Sequence, residues 1–124
     1  MRAYDSLRGR GEFALVMGRG YRAGGKNLSV FALKRAPRER RPKVGIVITK
    51  KVGNAVERNR LRRRCKAILD GCAAVTDRTW FVIMCRPSAT SLRYAHLREQ
   101  LAAALQDSSR RAGQAAPPRE ARAR

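Results

Sequence analysis

The feature that most constrains the fold of this chain is the segment that begins at Asn54. Asn54, with Glu57 three residues later, matches a capping box, which marks the start of a helix. Beyond this start, apolar residues recur at the spacing of one helix face: Leu61, Cys65, Ile68, Leu69 and Cys72. At 100° per residue they span an arc of about 100°, the usual width of a core-facing stripe. The sequence therefore predicts a helix that docks one face on another layer.

The rest of this helix and the turn before it are basic. From Lys50 to Lys66 the chain has eight basic residues and one acid, Glu57, so pairing along the helix cannot neutralise the charge. Guanidinium groups match phosphate in a bidentate fork and stack on bases, whereas an ordinary solvated face would carry both signs. We expect nucleic acid to bind the following set: Lys50, Lys51, Arg58, Asn59, Arg60, Arg62, Arg63, Arg64 and Lys66.

The whole chain has the same charge bias. Lys and Arg number 29 against 9 Asp and Glu, for a formal charge of +20, which favours a polyanionic partner. Neither a signal peptide nor a run of 18 apolar residues is evident, so we expect a cytoplasmic protein without a membrane partner. The three cysteines form no C-x-x-C pair, which predicts buried reduced thiols and no metal site.

Short strand-like and helical segments alternate, as in an α/β domain. Residues 1–107 are predicted to form one such domain, with about four strands and three helices in an order like α-β-β-β-α-β-α. A short helix is expected at 12–17 and a flexible basic loop at 18–25. Strands are expected at 28–33, 44–49 and 80–85, the first two as an antiparallel hairpin, with a last helix after Ser91. Residues 108–124 are predicted to be a disordered basic tail.

Three short motifs closely resemble the protein subunit of bacterial ribonuclease P: Lys50-Lys51, Gly53-Asn54-Ala55-Val56 and Arg58-Asn59-Arg60-Leu61. The likeness extends more faintly from about Leu7 to the last helix near Leu105. It implies an α/β sandwich with a left-handed βαβ crossover. It also implies a protein that assists a catalytic RNA in removing the 5′ leader from precursor tRNA.

The resemblance further implies two RNA-binding surfaces. The basic set defined above would face the catalytic RNA subunit of ribonuclease P. A groove with an aromatic floor, bordered by Lys50 and Lys51, would hold the leader of the precursor tRNA on Phe13, Met17, Phe31, Val47 and Thr49. For Phe13 and Phe31, plain core packing is the alternative. Mg²⁺ is expected at the active site of the RNA, and no obligate protein partner is evident.

The chain itself is expected to be inert, with no catalytic residue in the protein. Its acids are scattered singly and His96 is the one histidine, so no metal cluster or acid–base pair is evident. A structural RNA-binding protein of the ribosomal type, without a role in cleavage, is the main alternative. A nuclease in its own right and a DNA-binding protein also remain open at this point.

Overall fold

The fold is built on one mixed β-sheet with helices on both faces. The computed structural model describes residues 3–75 and 78–114. In chain order, the elements are β1 (Asp5–Ser6), α1 (Gly9–Arg19), β2 (Tyr21–Gly24), β3 (Leu28–Lys34), β4 (Lys43–Ile48), α2 (Ala55–Asp70), β5 (Thr79–Cys85) and α3 (Tyr94–Gln114). Short 3₁₀ turns at Lys50–Val52 and Pro87–Ser91 follow β4 and β5. The α/β class and the three helices are as predicted, with one more strand than expected.

The strands lie in the order β1-β4-β5-β3-β2. β4 pairs in parallel with β1 and β5, and the other pairs are antiparallel. The predicted hairpin between residues 28–33 and 44–49 is therefore wrong, because β5 lies between these strands. β5 is apolar on both faces, and nearly all of its residues are buried. A strand of this kind needs a covering layer on each face, which the central position in the sheet provides.

The alternation of residues along the strands separates two apolar layers. Leu28, Val30 and Ala32 of β3 point to the face that α2 and α3 cover. Phe31 and Leu33 point to the opposite face, where α1 packs. α2 connects the parallel strands β4 and β5, and the left-handed sense of this crossover stays a prediction.

Two segments differ from the sequence prediction. Within the predicted loop at 18–25, Tyr21–Gly24 forms the edge strand β2 against β3. α3 continues through Gln114, so the predicted tail begins too early: Ser108 and Ala112 are buried against the core. Residues 115–124 of that tail lie outside the described residues. No helix in the described part of the chain is long and apolar enough to cross a bilayer.

Two of the three cysteines meet in the core. The Sγ atoms of Cys65 on α2 and Cys85 on β5 lie 3.9 Å apart, and both residues are buried. The contact with Cys85 and burial raise the pKa of the Cys65 thiol, which keeps it protonated. Cys72 is partly exposed, which differs from the expectation of three buried thiols.

Candidate nucleic-acid interface

The predicted capping box is present at the start of α2. Asn54 Oδ1 accepts a hydrogen bond from the Glu57 N–H at 2.8 Å, and Glu57 Oε1 accepts one from the Asn54 N–H at 2.9 Å. A Cβ on Gly53 would lie 2.3 Å from Glu57 Oε1, so a larger residue here would push this carboxylate out of the capping box. The Glu57 carboxylate is thus held at the helix N-terminus, where it also complements the helix dipole.

Three arginines of α2 are partly buried and bonded to backbone carbonyls. Arg58 Nε donates to Gly53 O at 3.1 Å, and Arg62 Nη1 donates to Ile46 O on β4 at 3.3 Å. Arg64 Nη1 donates to Leu92 O at 3.4 Å, just before α3. A guanidinium has five N–H donors, so each of these groups is positioned by one bond and keeps others for a ligand.

The outward side of α2 holds the exposed members of the predicted set. Asn59, Arg60 and Arg63 are exposed, Lys66 is partly buried, and Lys50 and Lys51 lie exposed in the turn after β4. The ion pairs that involve described residues use Asp5, Glu12 and Asp107, and none includes a basic residue of α2. The structure therefore brings the predicted set together around one helix, with its charge uncompensated by local carboxylates.

The predicted groove residues come together on the α1 face of the sheet. Phe13, Met17, Phe31 and Val47 belong to one apolar cluster, in which each remains partly exposed. Phe31 on β3 pairs with Val82 on β5. Val47 on β4 pairs with Met84, the next residue of β5 on the same face. Phe13 and Phe31 pack on the core and are partly exposed, and their role in binding a leader stays a prediction. Thr49 is exposed just beyond β4.

A glycine in β4 sets the depth of this groove. A Cβ on Gly45 would lie 2.4 Å from Cε2 and Cζ of Phe13, so the Phe13 ring rests directly on the strand backbone. An isolated glycine in an apolar strand is a known signal of such a close approach. The sequence therefore carried this signal, although the function of Gly45 was not predicted from it.

Sequence reasoning missed a basic cluster beside the groove. Ser29 is buried on the face that Phe31 shares, and its Oγ lies 3.0 Å from Arg22 Nη2 and 3.5 Å from Arg86 Nη2. Arg86 Nη1 also donates to Gly25 O at 3.1 Å. Arg86 lies 57 residues from Ser29 in the chain and meets it through the pairing of β3 with β5. Arg22 is seven residues from Ser29, but it meets Ser29 through the edge strand β2, which the sequence analysis predicted as a loop.

The site is suited to binding a polyanion and to orienting it. Among residues 3–75 and 78–114, no group of three or more His, Cys, Asp and Glu side chains could hold a metal ion. Asp5 and Glu12 are paired with Arg41 and Lys43. The chemistry that this surface offers is therefore charge, directed hydrogen bonds and apolar contact.

Comparison with known proteins gives a consistent result. The family model described as Ribonuclease P matches residues 1–109. The ribonuclease P protein component of Streptomyces avermitilis is 36% identical over 111 residues, covering 82% of this chain and 89% of its own length. That of Rhodococcus opacus is 36% identical over 105 residues, with 80% and 84% covered.

Solved structures show the same fold. The RNase P protein of Staphylococcus aureus superposes with a TM-score of 0.74 at 18% identity, over 82% of this chain and 93% of that protein. The RNase P protein of Thermotoga maritima gives a TM-score of 0.72 at 23% identity, over 83% and 96%.

Proposed function

Since this chain belongs to the ribonuclease P protein family, we propose that its two RNA-binding surfaces hold two different RNAs at the same time. The chain is the protein component of a ribonucleoprotein endoribonuclease, which removes the 5′ leader from precursor tRNA, and it is a non-catalytic subunit of that enzyme. The observation that carries this conclusion is the family match over residues 1–109, which includes both surfaces.

The catalytic RNA is proposed to bind α2 and the turn before it. Arg58, Arg62 and Arg64 are positioned by backbone carbonyls, which lowers the entropy that they lose on binding phosphate. Arg60 and Arg63 are exposed and can form bidentate contacts with phosphate. With six or more phosphates neutralised, affinity should fall by about 10³-fold or more between 50 and 200 mM salt.

The leader of the precursor tRNA is proposed to lie in the groove on the α1 face. Phe13, Met17, Phe31 and Val47 offer a partly exposed apolar floor, on which bases of any sequence can stack or pack. Arg22 and Arg86 border the floor and can bind the phosphates of a single strand. The groove and α2 lie on opposite faces of the sheet, which allows one protein to contact both RNAs.

We assign the chemical step to the RNA, because the roles proposed for this chain are binding and orientation. Mg²⁺ at the active site of the catalytic RNA would supply the activation of water for phosphodiester cleavage. The residues of this chain bind and orient: α2 holds the catalytic RNA, and the groove holds the leader next to it. We further propose that this assembly acts in the cytoplasm.

A structural RNA-binding protein of the ribosomal type would share the charge but has no need for the groove. The partly exposed Phe31 and Val47 on the α1 face therefore favour the leader-binding role. No observation on this chain favours the ribosomal-type role.

Two variants test the separation of the surfaces. Arg60→Ala with Arg63→Ala should weaken assembly with the catalytic RNA and leave the preference of the assembled enzyme for precursor over mature tRNA unchanged. Phe31→Leu should spare assembly and reduce that preference by about 5- to 150-fold, the loss of one stacked base at about 1–3 kcal/mol. Phe31→Tyr is the matched control, because it keeps the ring.

Binding of the full chain to each RNA is measured by filter retention. The two-surface proposal fails if the arginine variant and Phe31→Leu both lower the affinity for the same RNA. It also fails if Phe31→Tyr loses as much of the preference for precursor over mature tRNA as Phe31→Leu.

A further inference from the structure

Two cysteine side chains, which neither RNA-binding surface uses, meet beneath α2. Cys65 lies in the apolar stripe of α2, and Cys85 is the last residue of β5. They are 20 residues apart in the chain, yet their Sγ atoms lie 3.9 Å apart, within the distance at which one thiol donates a hydrogen bond to the other. The contact therefore joins the helix that carries the basic set to the central strand of the sheet.

The cysteine pair is enclosed by apolar side chains. Ile48 of β4 and Leu28 of β3 pair with Cys85 in the sheet, and both cysteines belong to one core cluster. Cysteine serves well as a small apolar residue, so packing alone accounts for either position. Packing does not require the two sulfur atoms to be neighbours, however. Their contact gives the core two groups that can react with each other.

The two thiols differ in acidity. The hydrogen bond from Cys65 lowers the pKa of Cys85 against the opposing effect of burial, and the positive charge of Arg62 also lowers it. The contact with Cys85 and burial raise the pKa of Cys65. Because the thiolate is the reactive form of cysteine, Cys85 is the nucleophile of the pair, and Cys65 is the thiol that stays protonated beside it.

We propose that Cys65 and Cys85 form a dithiol site that hydroperoxides oxidise, and that the resulting disulfide weakens the binding of RNA to α2. The second part rests on the proposed binding of the catalytic RNA to α2. In the cytoplasm, where we propose that the assembly acts, a disulfide is more often transient and redox-sensing than structural. The pair would thus couple the redox state of the cell to assembly of the enzyme.

The reaction with hydrogen peroxide has two steps. The Cys85 thiolate attacks one peroxide oxygen and the O–O bond breaks, which leaves a sulfenic acid on Cys85 and a hydroxide that takes a proton from solvent. The Cys65 sulfur then attacks Cys85 Sγ and the S–O bond breaks, so the hydroxide leaves as water with the Cys65 thiol proton. The two thiols together lose two electrons, and the peroxide is reduced to two molecules of water. A small dithiol reverses the change by exchange.

The disulfide acts on RNA binding through the position of α2. A disulfide holds its sulfur atoms about 2 Å apart, so the crosslink draws α2 toward β5. A close-packed core transmits such a shift, because it has no space to absorb it. Arg62 lies one turn before Cys65, and its bond of 3.3 Å to Ile46 O depends on how α2 sits on the sheet. Oxidation therefore displaces Arg62 from the position in which it is proposed to bind phosphate.

The full chain with Cys72→Ser tests the oxidation site. Cys72 is partly exposed and lies outside the pair, so the variant retains only the two thiols in question. After treatment with hydrogen peroxide, it should lose both thiols and the mass of two hydrogen atoms, and a peptide map should join Cys65 to Cys85. The inference is overturned if both thiols survive an exposure that oxidises Cys72 in the original chain.

Two further variants in the same background separate the roles of the two thiols. Cys65→Ala leaves Cys85 alone, which should stop at the sulfenic acid and be captured by a cyclic β-diketone. Cys85→Ala leaves Cys65 alone, which should remain a thiol. Capture on Cys65 to the same extent as on Cys85 would contradict the assigned nucleophile.

Affinity for the RNA subunit of a bacterial ribonuclease P is then compared between the reduced and the oxidised Cys72→Ser protein. The oxidised protein should bind about 10-fold more weakly, the loss of about one charge-assisted hydrogen bond to phosphate, and dithiothreitol should restore binding. The Cys85→Ala variant, treated with the same peroxide, is the control for damage elsewhere and should keep its affinity. Equal affinity of the reduced and oxidised proteins overturns the inference. If the reduced protein itself does not bind this RNA, the proposed function of α2 fails, while the thiol measurements still decide the oxidation site.

Discussion

At Gly45, the lack of a side chain decides how closely α1 can approach the sheet. The Phe13 ring occupies the space that a Cβ would need, and Leu7 Cδ1 lies 3.0 Å from the same point. The aromatic floor of the groove depends on this contact, because the Phe13 ring packs directly against β4 at Gly45. The shape of the groove therefore depends on a residue that has no side chain.

Gly45→Ala should destabilise the protein by about 1–3 kcal/mol, because the added methyl group forces the Phe13 ring away from β4. The free energy of unfolding is measured in urea, together with the affinity of the assembled enzyme for precursor tRNA, which should also fall. Gly11→Ala is the control, since a Cβ there meets nothing within 4 Å. The Gly11→Ala variant should be more stable than the original chain by about 0.5–1 kcal/mol, because alanine is favoured over glycine inside a helix. Equal stability of both variants would contradict the packing described.

Glu12 links the start of α1 to β4. Burial works against its charge, but hydrogen bonds from the Arg8 N–H at 2.6 Å and from Lys43 Nζ at 3.2 Å lower the pKa of Glu12 below its ordinary value of 4.5. A lowered pKa in the folded state contributes stability above the ordinary value, and this contribution is lost as pH falls through the folded pKa.

Glu12→Gln should therefore destabilise the protein at pH 7, and the difference from the original chain should shrink as pH falls below about 4.5. Thermal unfolding of both proteins across this range provides the measurement. A difference that stays constant with pH would contradict the role of the charge.

At the scale of single elements, α2 could be predicted and the pairing of strands could not. The capping box and apolar stripe of α2 are local patterns, so its start at Asn54 and its buried residues Leu61, Cys65, Ile68 and Leu69 follow from spacing. The neighbours of β5 depend on contacts distant in sequence, which is why the hairpin prediction failed.

α3 was predicted too short because its stripe continues in small or polar residues, Ser108 and Ala112. Ser108 can be buried since its Oγ donates to Leu105 O.

Asn54→Ala tests the cap that starts α2. The variant should lose about 0.5–2 kcal/mol of stability, because the Glu57 N–H loses its acceptor. Asn54→Asp keeps an acceptor and should remain close to the original chain. Both are compared by unfolding in urea, and an unaffected Asn54→Ala protein would show that the helix start is fixed by other contacts.

At the scale of the whole molecule, the net charge predicted a polyanionic partner. The structure places the two proposed RNA-binding surfaces on opposite faces of the sheet. The formal charge of +20 indicates a polyanion, but it does not distinguish a catalytic RNA from any other nucleic acid. The groove residues Phe13, Met17, Phe31 and Val47 were predicted from a family resemblance, and the sheet brings them together on one face. Arg22, Ser29 and Arg86 could not be predicted, since only the strand register places them side by side.

The reconstituted cleavage reaction tests the central claim most directly. The full chain is mixed with the RNA subunit of a bacterial ribonuclease P and a precursor tRNA at low magnesium concentration, with each component alone as the control. The account predicts that the mixture releases the 5′ leader at a rate that neither component reaches alone. A mixture that cleaves no faster than the RNA by itself would contradict the account.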